Sequence, residues 1–232
     1  MGARASAGML ALGAAAAWSL PALAPVMPPL CQAMRVPRRF DSSGAVALTF
    51  DDGPHAEGTP AILEALGRTG TRATFFMVGE QVERLPALAA DVAAAGHGLG
   101  VHGYRHRNQL RLSPGAVEHD LHRALEVIAD AVGNGPRLYR PAYGIFSPAG
   151  LARVRRSGLR PFLWSRWGRD WRADATAASV AATVTRDLKA GDVLLLHDAD
   201  HYCAPGSWRA TAAALPAVLG ELERQGLRGV AL

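Results

Sequence analysis

Residues 45–54 read AVALTFDDGP, and this stretch decides the architecture. The six residues from Ala45 to Phe50 form an apolar run too short for a helix and of the right length for a strand buried on both faces. Strands of that kind belong to parallel sheets covered by helices, whereas a half-solvated antiparallel strand alternates apolar and polar residues. Asp51-Asp52-Gly53-Pro54 then turns the chain at the strand's carboxyl end.

Outward from this strand the same alternation repeats. Further strands are expected at 73–78, 98–101, 138–140, 160–164, 192–196 and 229–232. Helices are expected between them at 59–68, 86–95, 114–132, 148–157, 177–189 and 209–225, with Ser113 a good N-cap for the longest. Seven strands alternating with helices imply an α/β fold, either a parallel sheet or an incomplete α/β barrel. The 232 residues, 49% hydrophobic and 19% charged, suffice for one domain with a sizeable core.

The formal net charge is +5, and 24 of the 25 basic residues are Arg, Lys189 being the lone lysine. Arg105, Arg107, Arg111, Arg153, Arg155, Arg156 and Arg160 could make a basic patch. No helix-turn-helix, RNP-like or zinc-finger pattern accompanies them, so no nucleic-acid partner is expected. Cys31 and Cys203 make neither a disulfide framework nor a cysteine-based zinc motif. Residues 1–40 read as a separate segment and 41–232 as the domain proper. Arg4 precedes an apolar run over 7–30 that resembles a signal-peptide core or membrane anchor. Pro21, Pro25, Pro28 and Pro29 interrupt it, leaving an unbroken part shorter than the ~20 residues of a spanning helix. Arg35, Arg38 and Arg39 follow as a basic hinge. Export or membrane association is the expectation.

In parallel α/β architectures, sites gather where strands end. Polar residues fall there repeatedly: Asp51 and Asp52 after the first strand, His102 and His106 after the third, Arg140 after the fourth, Asp170 past the fifth and His197 after the sixth. On a straight strand Asp51 and Asp52 would face opposite ways, one toward a metal and one toward water. His102 and His106, in HGYRH, can meet one metal if their segment makes a helical turn. One Asp with two His leaves coordination positions open, as a catalytic site requires. His197 suits general-acid work if a carboxylate keeps it protonated, with Asp170 the candidate. Arg140 could hold a carboxylate base ionised and oriented. Gly98 to Gly103 also spells GxGxxG, but that pattern overlaps the strand instead of linking it to a helix, so no dinucleotide site is expected.

Together these pieces resemble the polysaccharide deacetylase family, the NodB-homology or carbohydrate esterase 4 group. TFDDGP (49–54), HGYRH (102–106), RPAYG (140–144), RDW (169–171) and LLH (195–197) are similar to its five motifs, in order, and the likeness spans about residue 45 to the C-terminus. The resemblance implies a distorted seven-stranded (β/α) barrel and hydrolysis of the N-acetyl group of an N-acetylated glycan, such as peptidoglycan or a chitin-like polymer, with release of acetate. It implies Asp51 as catalytic base and Asp52, His102 and His106 as ligands of a divalent metal, with zinc the usual ion and cobalt or another divalent ion the alternatives. Arg140 would orient Asp51, and Asp170 would tune His197, the general acid. The backbone N–H of Tyr143 would help hold the oxyanion, and Leu195 and Trp171 would line the acetyl pocket. Two positions depart from the family's pattern. Gly103 stands where the second motif usually has Ser or Thr, so a loop-stabilising hydroxyl is missing, and Trp167 stands where the fourth usually begins with Asp. Arg166, Arg169 and Arg172 flank the site and would suit an anionic cell-wall polymer. The competing reading is a glycan- or metal-binding domain of the same fold that has lost catalysis.

Overall fold

The computed structural model describes residues 19–232, so Arg4 and the first part of the apolar run lie outside the described residues. The sheet grows from β1 (Ala45–Asp51), every residue of which is buried, as the opening run requires. On one side follow β2 (Thr74–Met77), β3 (Gly98–Val101), β4 (Leu138–Tyr139) and β5 (Arg160–Pro161). On the other lie β7 (Val193–His197) and then β6 (Arg166–Trp167), giving the order β5-β4-β3-β2-β1-β7-β6. Every pairing between these strands is parallel. β8 (Arg228–Val230) pairs with Ala45–Ala47, the half of β1 that β2 leaves free. The result is a curled α/β half-barrel, the expected distorted barrel.

Eight strands form where seven are expected. The additional one, β6, is two residues long, and Arg166-Trp167 carries no apolar run to announce it. It exists because it finds Leu194 and Leu195 of β7 as partners, a tertiary event that local pattern does not encode. The strand expected at 160–164 shortens to Arg160–Pro161, and the helix expected at 177–189 ends at Val184.

The principal helices are α1 (Pro28–Ala33), α2 (Gly58–Gly67), α3 (Gly79–Arg84), α4 (Pro86–Ala94), α5 (Pro114–Val132), α6 (Pro148–Arg156), α7 (Ala177–Val184) and α8 (Ser207–Arg224). Ser113, Ser147 and Thr176 cap α5, α6 and α7 through side-chain oxygens, each satisfying a first-turn N–H that has no partner within its helix. α3 is not expected from sequence, since six residues are too few to display a helical period.

The core lies between sheet and helices, with Leu48, Phe50, Phe75, Phe76, Leu194 and Leu196 all at most 1% exposed. Phe50 stacks on Phe75 with centroids 5.1 Å apart. Part of the segment before residue 41 joins it, since Ala24, Cys31 and Val36 are buried in the same cluster. No helix among the described residues is long and apolar enough to cross a membrane. The glycines of the GxGxxG pattern have a packing role. A Cβ on Gly100 would come 2.4 Å from the Phe76 ring, so the pattern marks close sheet packing and not a nucleotide turn.

Candidate active site

β1 delivers two carboxylates into one cleft. Straight-strand alternation would separate Asp51 and Asp52, but the chain leaves the strand at Asp52, whose φ is +81°, and the alternation ends there. Both side chains therefore line the same cleft, correcting the expectation that they face opposite ways. Asp tolerates this left-handed conformation better than most residues. Turning back at once, Gly53 packs so tightly that a Cβ there would meet the Asp198 carboxylate at 2.2 Å.

His102 and His106 also reach the cleft, though not on a helical turn. Residues 102–106 form a loop, with Gly103 at φ +86°, and the two ring centroids are 5.2 Å apart. His102 Nδ1 lies 2.8 Å from the backbone carbonyl of Arg140. A carbonyl only accepts, so Nδ1 carries the proton and Nε2 turns its lone pair inward. That Nε2 is 3.4 Å from Asp52 Oδ1, and His106 Nε2 is 3.4 Å from the same oxygen.

The expected ligands are thus brought together, with the donor atoms of Asp52, His102 and His106 all within 4.8 Å of one another. Ligands about 2.1 Å from a shared tetrahedral centre would stand roughly 3.4 Å apart, so the spacing fits a divalent cation. The electrostatics agree. Asp52 Oδ1 is buried and has no hydrogen-bond partner among the described residues. Burial raises the Asp52 carboxyl to about 7, with Asp51 and Asp198 adding to the rise against the pull of His197. His102 and His106 are each pushed down to about 3, chiefly by burial. Neutral imidazoles beside a carboxylate short of positive charge are what a cation would complete.

Arg140 is the largest of the fully buried side chains. Its guanidinium donates to Asp51 Oδ1 at 2.6 Å, to Thr49 Oγ1 at 2.8 Å and to the carbonyls of Phe162 and Leu163, over the Phe76 ring at 3.9 Å. Burial raises the Asp51 carboxyl above the usual carboxylate range, with Arg140 the first of the charges working against it. One oxygen of Asp51 is thereby pinned, and the other, Oδ2, faces His102 Nε2 at 3.7 Å.

Across the cleft, His197 ends β7. Asp170 takes both its backbone N–H, at 2.7 Å, and its ring Nδ1–H, at 2.9 Å, while Thr211 donates to the same carboxylate at 2.7 Å. Burial alone would lower the imidazole's pKa. The carboxylate of Asp170, helped by Asp52 and Asp51, overcomes this and raises it to about 10. Nδ1 being committed to Asp170, Nε2 is the ring nitrogen left for the cleft.

The cleft encloses about 320 Å³, within the range of small-ligand sites. Tyr143, Trp171 and Leu195, the expected binding residues, all line it, Tyr143 at φ +60° and 56% exposed. Trp164, expected only as the end of a strand, lines it too, as do Tyr202 and Cys203 of the loop 200–206. Tyr202 stacks on His106 with centroids 4.3 Å apart, and Cys203 Sγ is 3.6 Å from Asp52 Oδ2. Both sit in the loop that directly follows the His197 strand, a place that puts it at the rim of the cleft. Asp198 follows His197 directly. Buried and raised to about 7, mainly by desolvation, it accepts from Thr59 Oγ1 at 2.5 Å and braces the Asp51–Pro54 turn.

Of the flanking arginines, Arg172 is paired with Asp174 and Arg166 with Asp192, while Arg169 lies 5.5 Å from the Trp167 ring. His55, beside the turn, is 3.2 Å from Asp200 and does not line the cleft.

A half-barrel with this rim of groups has the make-up of a carbohydrate deacetylase, an enzyme class of hydrolases. Residues 39–162 match the polysaccharide deacetylase family, and the chain belongs to it. A peptidoglycan-N-acetylglucosamine deacetylase of Bacillus cereus is 36% identical over 80% of this chain and 84% of its own length. A chitooligosaccharide deacetylase of Azorhizobium caulinodans is 32% identical over 85% and 95%. Among solved structures, a peptidoglycan N-acetylglucosamine deacetylase superposes with a TM-score of 0.79 at 29% identity, covering 85% of this chain and 90% of that one. A family 4 acetyl xylan esterase from Clostridium thermocellum, in complex with a cobalt ion, does so with a TM-score of 0.73 at 29% identity over 81% and 87%.

Proposed function

We propose that the protein removes N-acetyl groups from an N-acetylated glycan, of the peptidoglycan or chitin-like kind, releasing acetate. The observation that carries this reading is the meeting of three metal-type donors, a pinned carboxylate and a carboxylate-backed imidazole in one cleft. Asp52, His102 and His106 would hold the divalent cation, zinc by the nature of the donors, with cobalt or another divalent ion able to substitute. Once bound, the cation supplies Lewis-acid polarisation of the acetyl carbonyl and of the attacking water.

The chain's own groups do the proton work. Asp51 Oδ2, the oxygen free of Arg140, accepts the proton of the attacking water, and Arg140 keeps the carboxylate fixed while it does so. The backbone N–H of Tyr143 helps to hold the negative charge that develops on the acetyl oxygen. His197, kept charged by Asp170, donates from Nε2 to the departing sugar nitrogen. Trp171 and Leu195 supply the apolar wall for the acetyl methyl. An exported or membrane-associated setting would suit a cell-wall substrate.

The test is acetate release from chito-oligomers, peptidoglycan and small acetylated glycosides, with chelation and metal add-back. Activity that chelation abolishes and zinc or cobalt restores is the expected result. Metal uptake with no acetate released from any of them would instead favour a binding domain of the same fold.

A further inference from the structure

The loop between His102 and His106 is gripped from two sides by groups outside it. The carbonyls of Gly103 and Tyr104 accept from the N–H groups of Gly79 and Glu80, which open α3, at 2.9 and 2.8 Å. The loop's amides are taken by one carboxylate on α5. Tyr104 N–H donates to Asp120 Oδ2 at 2.8 Å and Arg105 N–H to Asp120 Oδ1 at 3.3 Å, and the Arg107 guanidinium closes on Oδ1 at 2.9 Å. Asp120 is 7% exposed, in mid-helix. Nothing about helix formation favours a carboxylate there, and burying one is costly unless donors surround it. Here the donors come from the loop.

Gly103 completes the arrangement. At φ +86° a Cβ would sit 3.0 Å from Asp120 Oδ2 and 3.0 Å from the Arg105 carbonyl. With no side chain at position 103, the loop is held by this close approach and by the carboxylate on α5.

We propose that Asp120 is a positioning residue for the Asp52–His102–His106 cluster. By fixing the backbone of Tyr104 and Arg105 it sets where His106 stands relative to His102, and so the 3.4 Å separations both imidazoles keep from Asp52. This rests on the reading of that cluster as a metal site.

The experiment compares D120A, D120E and I128V with the parent protein, measuring zinc and cobalt affinity by competition with a chromogenic chelator. The same metal-free samples are examined by amide hydrogen exchange. I128V trims a buried residue of α5 two helical turns away and serves as the control for lost stability alone. D120A is expected to weaken metal binding about 10- to 100-fold and to speed exchange in 103–107 selectively. D120E should recover part of both effects, and I128V should leave both within twofold. Unchanged affinity in folded D120A, or an equal loss in I128V, overturns the proposal. A parent protein that binds no metal overturns the metal reading instead. The exchange data then decide the clamp, since unchanged protection of 103–107 in D120A sinks it and selective loss upholds it.

Discussion

Arg140 serves His102 and Asp51 with different parts of itself. Its backbone carbonyl accepts from His102 Nδ1 at 2.8 Å, while its guanidinium donates to Asp51 Oδ1 at 2.6 Å. One residue thus sets the tautomer of a proposed ligand and the orientation of the proposed base. The side-chain role was legible in sequence; the main-chain role was not, because a carbonyl carries no residue-type signature. Arg140→Met removes only the first. It leaves Asp51 a buried and uncompensated charge, a change that typically costs about 3–5 kcal/mol. Denaturant unfolding should show a loss of that order, with acetate release falling more than metal affinity does. A variant within about 1 kcal/mol of the parent would mean the ion pair is not isolated from water.

The two aspartates at the carboxyl end of β1, Asp51 and Asp52, should separate by phenotype. Asp52→Ala removes the donor both imidazoles face, so metal uptake should disappear and activity with it. Asp51→Asn keeps the shape and the three donors, so metal should still bind while the rate drops on the order of 10²- to 10⁴-fold. Full activity of metal-loaded Asp51→Asn would refute the assignment of the base.

His197 should govern the alkaline side of the rate–pH profile. Its folded pKa is raised, so the charged form that can donate a proton persists below that pKa and is lost as pH climbs through it. Asp170→Asn removes the largest raising influence, and the alkaline limb should move to lower pH. The acid limb, set by the raised Asp51 carboxyl, should stay in place. The same linkage acts on stability. The raised imidazole pKa gives a stabilisation fully present below about 6.5 and lost as pH rises from there through about 10. Parallel profiles for the parent and Asp170→Asn would contradict this.

How far the sequence reached depends on the range of the interaction. β1 and β7 were plain because seven and four successive buried residues leave no other reading. The proposed ligands, base and acid were legible because strand ends carried unusual polar types. β6 was invisible, being held by pairing alone. That the loop at 200–206 rims the cleft follows from its place after the His197 strand, whereas the stacking of Tyr202 on His106 depends on tertiary contacts. At 102–106 the spacing specifies which residues meet and not the backbone that brings them together, which is a loop and not the helical turn that would also serve.

Gly103 gives a prediction that runs against family resemblance. Restoring the hydroxyl with Gly103→Thr should harm the protein, since a β-branched residue at φ +86° is strained and its Cβ would press on the Arg105 carbonyl and on Asp120. Strain of this kind costs about 1–3 kcal/mol. Thermal unfolding should therefore shift downward, and metal affinity should weaken with it. If Gly103→Thr is neutral or stabilising, the loop has slack that the close contacts do not suggest.

Trp167 and Arg169 bear on which glycan enters. The Trp167 ring lies 6.1 Å from Trp164 and 5.6 Å from Trp171, making an aromatic wall in place of the carboxylate usual at this position, with the Arg169 guanidinium beside it. An aromatic wall receives a sugar face through apolar contact, and losing one ring contact costs about 0.5–1.5 kcal/mol. Trp167→Ala should raise KM roughly 2- to 10-fold while changing kcat less, as expected when uniform binding is lost. Arg172 and Arg166 spend their charge on Asp174 and Asp192, and no acidic partner of Arg169 is found among the described residues. Arg169→Gln should therefore lower kcat/KM for acidic acetylated glycans and leave neutral chito-oligomers nearly unaffected, with the parent's advantage on acidic substrates fading at high salt. Equal turnover of neutral and acidic substrates by the parent would remove the charge argument and leave the aromatic wall as the determinant of fit.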